Sequence, residues 1–216
     1  MEFKPENTAV SRKRISAPLE YILDRKYYLD KKYHSAFDYG CGRGKDFQWL
    51  KEEGYKIQAW DPYHYPDSKP GSEEKFDLVL CTYVINTIEN IEDRKEVIKD
   101  AWSYVAPGGF LLISTRTDNE IRSCAKSSKW TVFGDGYISS IDKQTFQKGF
   151  TGEELLKLFH SSVQSNSFVE AKDKDGDFTY LLATKNSWTG EKRRREEDVR
   201  RTRPTRRTKR KNPSIR

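Results

Sequence analysis

Three glycines, Gly40, Gly42 and Gly44, constrain the fold of this chain more than any other feature of its sequence. They follow residues 35–37, which suit a short strand, and precede residues 45–53, whose Phe, Trp and Leu side chains suit a packed helix. A strand that turns sharply into a helix needs positive φ angles and a bare backbone against which a ligand can lie. Glycine supplies both without steric cost. The spacing therefore predicts a strand, a ligand-binding loop and a helix in that order.

An acidic residue follows the next predicted strand. Residues 56–60 form a second strand-like segment, and Asp61 comes directly after it. A carboxylate at this position is placed to accept hydrogen bonds from both hydroxyls of a ribose. The dinucleotide fingerprint G-x-G-x-x-G is not satisfied, because its third glycine would fall at Lys45. The pattern predicts a site for an adenosine-bearing cofactor and disfavours a nicotinamide dinucleotide.

Further strands alternate with helix signals along the chain. Residues 77–81 and 110–114 are apolar runs typical of strands buried on both faces. Asn90 is a good N-cap for a helix between them, which Pro107-Gly108 is expected to end. Thr151 and Glu154 have the spacing of a capping box at the start of a last helix. Residues 173–177 (Asp-Lys-Asp-Gly-Asp), between two strand-like segments, predict a hairpin.

The order of these segments resembles class I S-adenosylmethionine-dependent methyltransferases. The resemblance covers about residues 35–186 and is carried by D-Y-G-C-G-x-G, W-D, F-D-L-V-L-C, V-I-N-T-I and A-P-G-G-F-L-L-I-S. It implies an α/β fold with a Rossmann-like doubly wound sheet, mostly parallel, with a C-terminal antiparallel hairpin strand. It also implies S-adenosyl-L-methionine as the cofactor. Residues 62–75 depart from the family, because they are too short to hold its third strand, which is degenerate or missing. The residue that contacts the adenine is therefore not assigned.

A narrower similarity points to methyltransferases found with bacterial DNA phosphorothioation systems. It is carried by residues 8–18 (Thr-Ala-Val-Ser-Arg-Lys-Arg-Ile-Ser-Ala-Pro), by Trp60-Asp61-Pro62-Tyr63 and by Tyr83-Val84-Ile85-Asn86. The predicted organisation is an N-terminal arm and helix (residues 1–34), a methyltransferase domain (35–189) with a variable substrate-side insert (115–150), and a disordered basic tail (190–216).

The resemblance also implies roles for individual residues. The expected cofactor-binding residues are Asp38, Gly40, Cys41, Gly42, Gly44, Asp61, Pro62, Cys81 and Thr82. Tyr83 and Asn86 are candidates at the reacting end, although Asn86 could equally start a helix. His64 is a candidate base because histidine titrates near neutrality, and its alternative is an exposed histidine at the rim. No metal site is predicted, since the three cysteines lack metal-type spacing, and Cys41 and Cys81 are interpreted as apolar fillers rather than reactive thiols.

Charge is concentrated at the C-terminus. The chain of 216 residues has a net charge of +7, but residues 190–216 hold thirteen Lys and Arg against four Asp and Glu. The tail therefore carries an excess of nine positive charges, and the rest of the chain is nearly neutral. Such an arm is expected to be disordered and to attract nucleic-acid phosphates, unless it only increases solubility. No apolar run approaches the ~18 residues that span a bilayer, so no membrane association and a cytoplasmic location are expected.

Basic and aromatic residues alternate within the predicted insert, residues 115–150. They are suited either to clamping a nucleotide or to forming a lid whose aromatic rings pack on the domain. The strand at residues 77–81 is not followed by the Asp/Asn-Pro-Pro-Tyr/Phe motif of DNA amino methyltransferases, and no Pro-Cys dipeptide marks a cytosine-C5 enzyme. The leading hypothesis is a methyltransferase acting on or near nucleic acid. The alternative is a catalytically inactive domain of the same fold that binds nucleic acid or protein.

Overall fold

A computed structural model describes residues 2–24, 35–163, 168–174 and 176–186 of the chain. The helices are α1 (Ala17–Asp24), α2 (Lys45–Glu52), α3 (Ile91–Ser103), α4 (Asp118–Ser127) and α5 (Gly152–Ser162). The strands are β1 (Ser35–Tyr39), β2 (Lys56–Trp60), β3 (Phe76–Thr82), β4 (Val105–Thr115), β5 (Thr131–Phe133), β6 (Gly136–Ser140), β7 (Thr145–Gln147), β8 (Phe168–Lys174) and β9 (Phe178–Thr184). In these described residues, none of the helices has the length and apolar character needed to cross a bilayer.

Six strands form one sheet in the order β2-β1-β3-β4-β9-β8. The first four run parallel, whereas β9 is antiparallel to both β4 and β8. The predicted Rossmann-like sheet with a C-terminal antiparallel hairpin is therefore confirmed. Residues 61–75, between β2 and β3, are all described and contain one short 3-10 helix, Pro66–Ser68, and no strand of this sheet. The expected loss of a third strand is also confirmed, and β2 lies at the edge.

Helices cover both faces of the sheet, as burial of parallel strands requires. Successive side chains of β3 point to opposite faces, so Val79 packs with α3 and α5, while Leu78 and Leu80 pack with α1 and α2. Leu50 of α2 and Leu19 of α1 are fully buried on the second face. The amino-terminal helix thus covers a face of the sheet next to the glycine loop.

The end of α3 differs from the sequence prediction. Asn90 caps α3 as expected, its side chain accepting a hydrogen bond from the N–H of Glu92, but the helix ends at Ser103 and not at Pro107-Gly108. Residues 107–109 instead lie inside β4, where the register with β3 shifts. Gly108 adopts a φ of +81° and donates its N–H to the carbonyl of Lys185. Gly108 and Gly109 therefore belong to a bulged part of β4. The predicted end of α3 was wrong because a local sequence pattern does not reveal the pairing of this segment with β3 and β9.

The insert forms α4 and a small antiparallel sheet, β5-β6-β7. Arg94 of α3, only 1% exposed, holds this sheet through two hydrogen bonds to Asp135 in the β5–β6 turn. The rings of Phe133 and Phe146 pack edge-on against Phe3 of the N-terminal arm. The insert therefore packs against the N-terminal arm and is hydrogen-bonded to α3 of the domain.

Candidate cofactor-binding site

The glycine loop joins β1 to α2 as the sequence predicts. Gly40, Gly42 and Gly44 all have positive φ angles, of 71°, 54° and 73°. A Cβ atom on Gly40 would lie 2.5 Å from a methyl carbon of Val84, which follows β3. Gly44 occupies the N-cap position of α2 in the left-handed conformation. Both the backbone conformation and the close approach of β3 therefore require glycine in this loop.

Asp61 ties the loop after β2 to the glycine loop. Its Oδ2 atom accepts the N–H of Gly42 at 3.0 Å, and Oδ1 accepts the N–H groups of Tyr63 at 3.0 Å and His64 at 2.9 Å. Gly40 and Cys41 also donate their N–H groups to the carbonyl of Trp60. A carboxylate has about four lone-pair positions, so three backbone bonds leave one, on Oδ2, for a ligand.

These loops border a cleft of about 600 Å³ at the carboxyl ends of the parallel strands. The predicted site residues in its lining are Gly40, Cys41, Gly42, Asp61, Pro62, Thr82, Tyr83 and Asn86. Asp38, Gly44, Cys81 and His64 do not contribute to the lining. The His64 side chain is exposed, and the part of this residue that reaches the site is its backbone N–H. Crevices at the carboxyl ends of parallel strands are the usual ligand sites of such sheets.

Asp38 is a buried carboxyl group on β1, two residues before Gly40 of the glycine loop. Its side chain is 1% exposed, and Oδ1 has no hydrogen-bond partner among the described residues. Burial raises the pKa of Asp38 from 3.8 to about 8, and the nearby Asp46 carboxylate adds to this increase. The group is therefore largely protonated at neutral pH until a cation lies beside it.

The raised pKa of Asp38 predicts a pH dependence of stability. Between pH 4 and 8 the folded protein retains a proton that the unfolded chain has lost, so the free energy of unfolding falls as the pH rises to about 8. Above that pH the contribution is constant. We expect Asp38→Asn to remove this decline, so that its melting temperature gains on the wild type between pH 5 and 9. If the melting temperatures of the two proteins changed in parallel over that pH range, the raised pKa of Asp38 would be contradicted.

Cys81 and Tyr83 differ in their access to the cleft. Cys81 is completely buried, and burial raises its thiol pKa to about 12, which agrees with an apolar filler and not a reactive thiol. Tyr83 lines the cleft with a φ of +59°, an unusual conformation for a residue with a side chain. Burial raises the pKa of the Tyr83 phenol to about 12, so the hydroxyl remains a hydrogen-bond donor at neutral pH.

Asn86 faces the insert from the middle of a short 3-10 helix, Ile85–Thr87, whose N-cap is Val84, and Asn90 is the residue that caps α3. Its Nδ2 donates to Oε1 of Gln147 in β7 at 3.2 Å, and its Oδ1 is buried without a partner among the described residues. Asn86 is 2% exposed, and both amides border the cleft. The structure thus brings together two residues, 61 positions apart, that form a polar wall with an available acceptor.

The N-terminal arm contributes site residues that the sequence analysis did not identify. The cleft lining includes Pro5, Glu6, Thr8, Ala9, Val10 and Arg12. Lys4 donates its N–H to the carbonyl of Gln144, and Asn7 bonds the carbonyl of Lys143, so the arm follows the insert. The sequence singled out residues 8–18 of the arm only for a family similarity, and the further signal is Phe3, an aromatic residue within a polar arm. Its partners are more than a hundred residues away, so no local pattern indicates them.

The insert was expected either to clamp a nucleotide or to form a lid packed on the domain, and its buried side chains distinguish these two alternatives. Phe146 is 1% exposed and contacts Phe3 and Phe133, and the guanidinium of Arg94 lies 5.6 Å from its ring centre. Lys148 is 8% exposed and pairs with Glu154. These residues pack on the domain and are not arranged as an open nucleotide clamp.

Sequence comparison assigns the chain to a family. Residues 11–162 match the model of a methyltransferase domain family. This segment is well over half of the chain, and the chain therefore belongs to that family. A search of curated proteins found no sequence match.

Solved structures share the fold at low sequence identity. A SAM-dependent methyltransferase from Methanosarcina mazei is 14% identical with a TM-score of 0.54, and the alignment covers 80% of this chain and 99% of that one. A counterpart from Mesorhizobium loti is also 14% identical, with a TM-score of 0.53 and coverage of 76% and 97%. The plantazolicin methyltransferase in complex with SAH is 13% identical, with a TM-score of 0.52 and coverage of 73% and 78%. These likenesses concern the fold.

Proposed function

We propose that this chain is a methyltransferase that uses S-adenosylmethionine. The observation that carries the proposal is the glycine loop, bonded to the carboxylate of Asp61 and bordering one cleft together with the end of β3. Family membership supports it, and so does the SAH complex of a protein with the same fold. S-adenosylmethionine, the cofactor expected from the sequence, is the ligand that this site suits best.

The residues present fit such a cofactor. The remaining acceptor position on Oδ2 of Asp61 suits one ribose hydroxyl, rather than the two hydroxyls expected from the sequence. The orphaned Oδ1 of buried Asp38 suits the ammonium group of the methionine end. Gly40 and Gly42 present bare backbone to the cleft beside Asp61. The site therefore offers acceptors for the ribose and for the ammonium group, two of the parts of the cofactor that carry hydrogen-bond donors.

S-adenosylmethionine supplies, when bound, a methyl group on a positively charged sulfur that departs as a neutral thioether. The chain's own residues then mainly have to hold the acceptor in line, and such positioning contributes about 7 to 11 kcal/mol. Tyr83 and Asn86 are proposed for this role at the end of β3, with Gln147 as a further polar group. The orphaned Oδ1 of Asn86 favours an acceptor molecule that presents an N–H or O–H donor to it. The proposal that His64 is a base stays a prediction from sequence.

Calorimetric titration with S-adenosylhomocysteine tests the proposal. We expect saturable binding with one ligand per chain. Transfer of labelled methyl from the cofactor into separated DNA, RNA, protein and metabolite fractions then identifies the acceptor class. A chain that binds the ligand but labels no fraction would favour the alternative, a catalytically inactive domain that serves as a binding module. A chain that does not bind it would overturn the cofactor assignment.

The proposed acceptor lies on or near nucleic acid, because residues 190–216 carry an excess of nine positive charges. This tail lies outside the described residues.

We also propose that the chain is divided into an N-terminal arm, a methyltransferase domain with an insert, and a tail. We further propose the narrower relation of this chain to methyltransferases of phosphorothioation systems. The latter is supported by the sequence of residues 8–18.

Deletion of residues 190–216 is expected to abolish most binding of DNA or RNA at low salt, since the remaining chain is nearly neutral. Fluorescence anisotropy with a labelled duplex and a labelled single strand, measured from 50 to 200 mM salt, checks this. The full chain should lose affinity steeply over that range. Equal binding by the full and truncated chains would reject a role of the tail.

A further inference from the structure

The N-terminal arm brings a carboxylate without a partner to the cleft. Glu6 belongs to the cleft lining, and its Oε2 atom is buried with no hydrogen-bond partner among the described residues. The insert holds the arm on both sides of this residue. The N–H of Lys4 donates to the carbonyl of Gln144 at 2.8 Å. Nδ2 of Asn7 donates to the carbonyl of Lys143 at 2.9 Å. The turn before β7 therefore fixes the segment that carries Glu6.

A second unpartnered acceptor borders the same cleft. Asn86 is 2% exposed and lies in the lining, and its Oδ1 atom has no partner among the described residues. Strand β7 contacts both the 3-10 helix Pro5–Thr8, which carries Glu6, and the 3-10 helix Ile85–Thr87, which carries Asn86. Buried polar groups are almost always paired, so two such acceptors at the insert side of one cleft indicate a ligand that donates hydrogen bonds.

The cations of the lining do not neutralise Glu6. Nη2 of Arg12 donates to Oδ2 of Asp46 at 3.1 Å, and Nη2 of Arg116 donates to Oε1 of Glu120 at 2.6 Å. Among the described residues, the Glu6 side chain forms neither a hydrogen bond nor an ion pair. A carboxylate only accepts hydrogen bonds, and one that is partly buried without a counterion favours a positively charged partner.

The aromatic residue nearest to this charge also lies at the cleft. Tyr63 is part of the lining and is 56% exposed. Burial raises the pKa of its phenol, and so do the negative charges of four carboxylates, those of Glu6, Asp61, Glu2 and Glu89. An aromatic ring beside several carboxylates attracts a cation and repels phosphate groups.

We propose that the methyl acceptor is an aliphatic amine, held by the carboxylate of Glu6 and the side-chain carbonyl of Asn86. The assignment rests on the proposed function and names the substrate class of that site. An aliphatic amine is an ammonium ion in neutral water and carries up to three N–H donors, as a lysine side chain does. It therefore supplies both the positive charge and the donors that the two acceptors lack.

The charge of the amine is conserved over the transfer. The bound ammonium first loses one proton to water, which frees the lone pair of its nitrogen. This lone pair forms the bond to the methyl carbon while the carbon–sulfur bond breaks, and the electron pair of that bond stays on the sulfur. The nitrogen becomes positively charged again as the new bond forms. The carboxylate of Glu6 is suited to stabilise this developing charge.

Transfer of labelled methyl before and after chemical blocking of amines tests the proposal. The full chain is incubated with methyl-labelled S-adenosylmethionine and with protein and metabolite fractions of its source cells. Each fraction is used untreated and after acetylation of its aliphatic amines with N-hydroxysuccinimidyl acetate. We expect label in at least one of the two fractions and its loss after acetylation. The two fractions distinguish a lysine side chain from a free amine.

Variants of Glu6 give a second measurement. Glu6→Gln is expected to reduce transfer to the amine about ten- to a hundredfold, the usual value of a hydrogen bond to a charged group, and to leave the affinity for S-adenosylhomocysteine within about twofold. Glu6→Asp keeps the charge and should retain more transfer. The matched control is Glu20→Gln, which removes the same charge from an exposed residue of α1 outside the cleft lining and should change neither measurement.

The outcomes separate the amine from the proposed function. Label that survives acetylation, or that enters only DNA or RNA, would overturn the amine and retain a methyltransferase. Unchanged transfer by Glu6→Gln would also overturn it. Equal losses of transfer and of affinity for S-adenosylhomocysteine would instead give Glu6 a structural role in the arm. A wild-type chain that labels no fraction would reject both the amine and the proposed activity.

Discussion

Asp61→Ala is expected to reduce the affinity for S-adenosylhomocysteine at least a hundredfold. The substitution removes the proposed ribose acceptor and also releases three backbone N–H groups, those of Gly42, Tyr63 and His64. Hydrogen bonds to a charged group contribute about 1.5 to 3 kcal/mol each, so the loss of the carboxylate affects both the ligand and the loop that holds it. Calorimetric titration at low salt measures the affinity, and thermal melting measures the effect on the loop.

Two further variants distinguish these effects. Asp67→Ala makes the same change at an exposed position of the following 3-10 helix and should leave both measurements unchanged. Asp61→Asn keeps one carbonyl acceptor and is expected to preserve more stability than alanine while still losing the charge. An unchanged affinity of Asp61→Ala for S-adenosylhomocysteine would refute the site as described. A large loss of melting temperature without loss of affinity would limit Asp61 to a structural role.

Asp135→Ala is expected to give the largest loss of stability outside the core. Among the described residues, it leaves the guanidinium of Arg94, which is 1% exposed, with hydrogen bonds only to the carbonyls of Ile88 and Glu89 and with no counterion. Removing one partner of a buried ion pair costs about 3 to 5 kcal/mol. Because Asp135 is itself 45% exposed, we expect a smaller cost of about 2 to 3 kcal/mol, or roughly 5 to 10 °C in melting temperature.

The matched control for this prediction lies on α3, the helix that carries Arg94. Glu96→Ala breaks the exposed pair with Lys99, whose side chains are 71% and 65% exposed, and should leave the melting temperature nearly unchanged. If the two variants melt alike, Arg94 does not depend on Asp135 for its charge. The insert sheet also brings Gln147 to the cleft, where it is proposed to help position the methyl acceptor. Asp135→Ala should therefore weaken binding of the acceptor as well as stability.

The elements that could be predicted depend on residues close together in sequence. The glycine loop, the cap at Asn90 and the box of Thr151 and Glu154 each act within a single turn, and each was predicted at the position where the structure has it. The hairpin between β8 and β9 was predicted for the same reason. The end of α3 was not, because Pro107 belongs to a bulge whose partner strands lie far along the chain.

The candidate site shows the same difference between features that depend on neighbouring residues and features that depend on distant ones. Sequence placed Asp61 at the end of β2 and Tyr83 and Asn86 after β3, since the carboxyl ends of parallel strands meet at one edge. It did not indicate that Asn86 would bond Gln147, or that the lining would include Arg12. Sequence patterning also did not distinguish His64, whose side chain is exposed, from a histidine that faces the cleft.

The amino-acid sequence by itself therefore determined the order of the strands and helices of the main sheet, the glycine loop and its acidic partner, because periodicity, capping and turn chemistry are local. Only the tertiary structure decided which distant segments close the cleft. The arm reaches it because Phe3 packs on Phe133 and Phe146, and Arg12 is held by Asp46 across 34 residues. These contacts arise from burial and charge pairing between elements, which depend on the folded geometry and leave no periodic trace in the sequence.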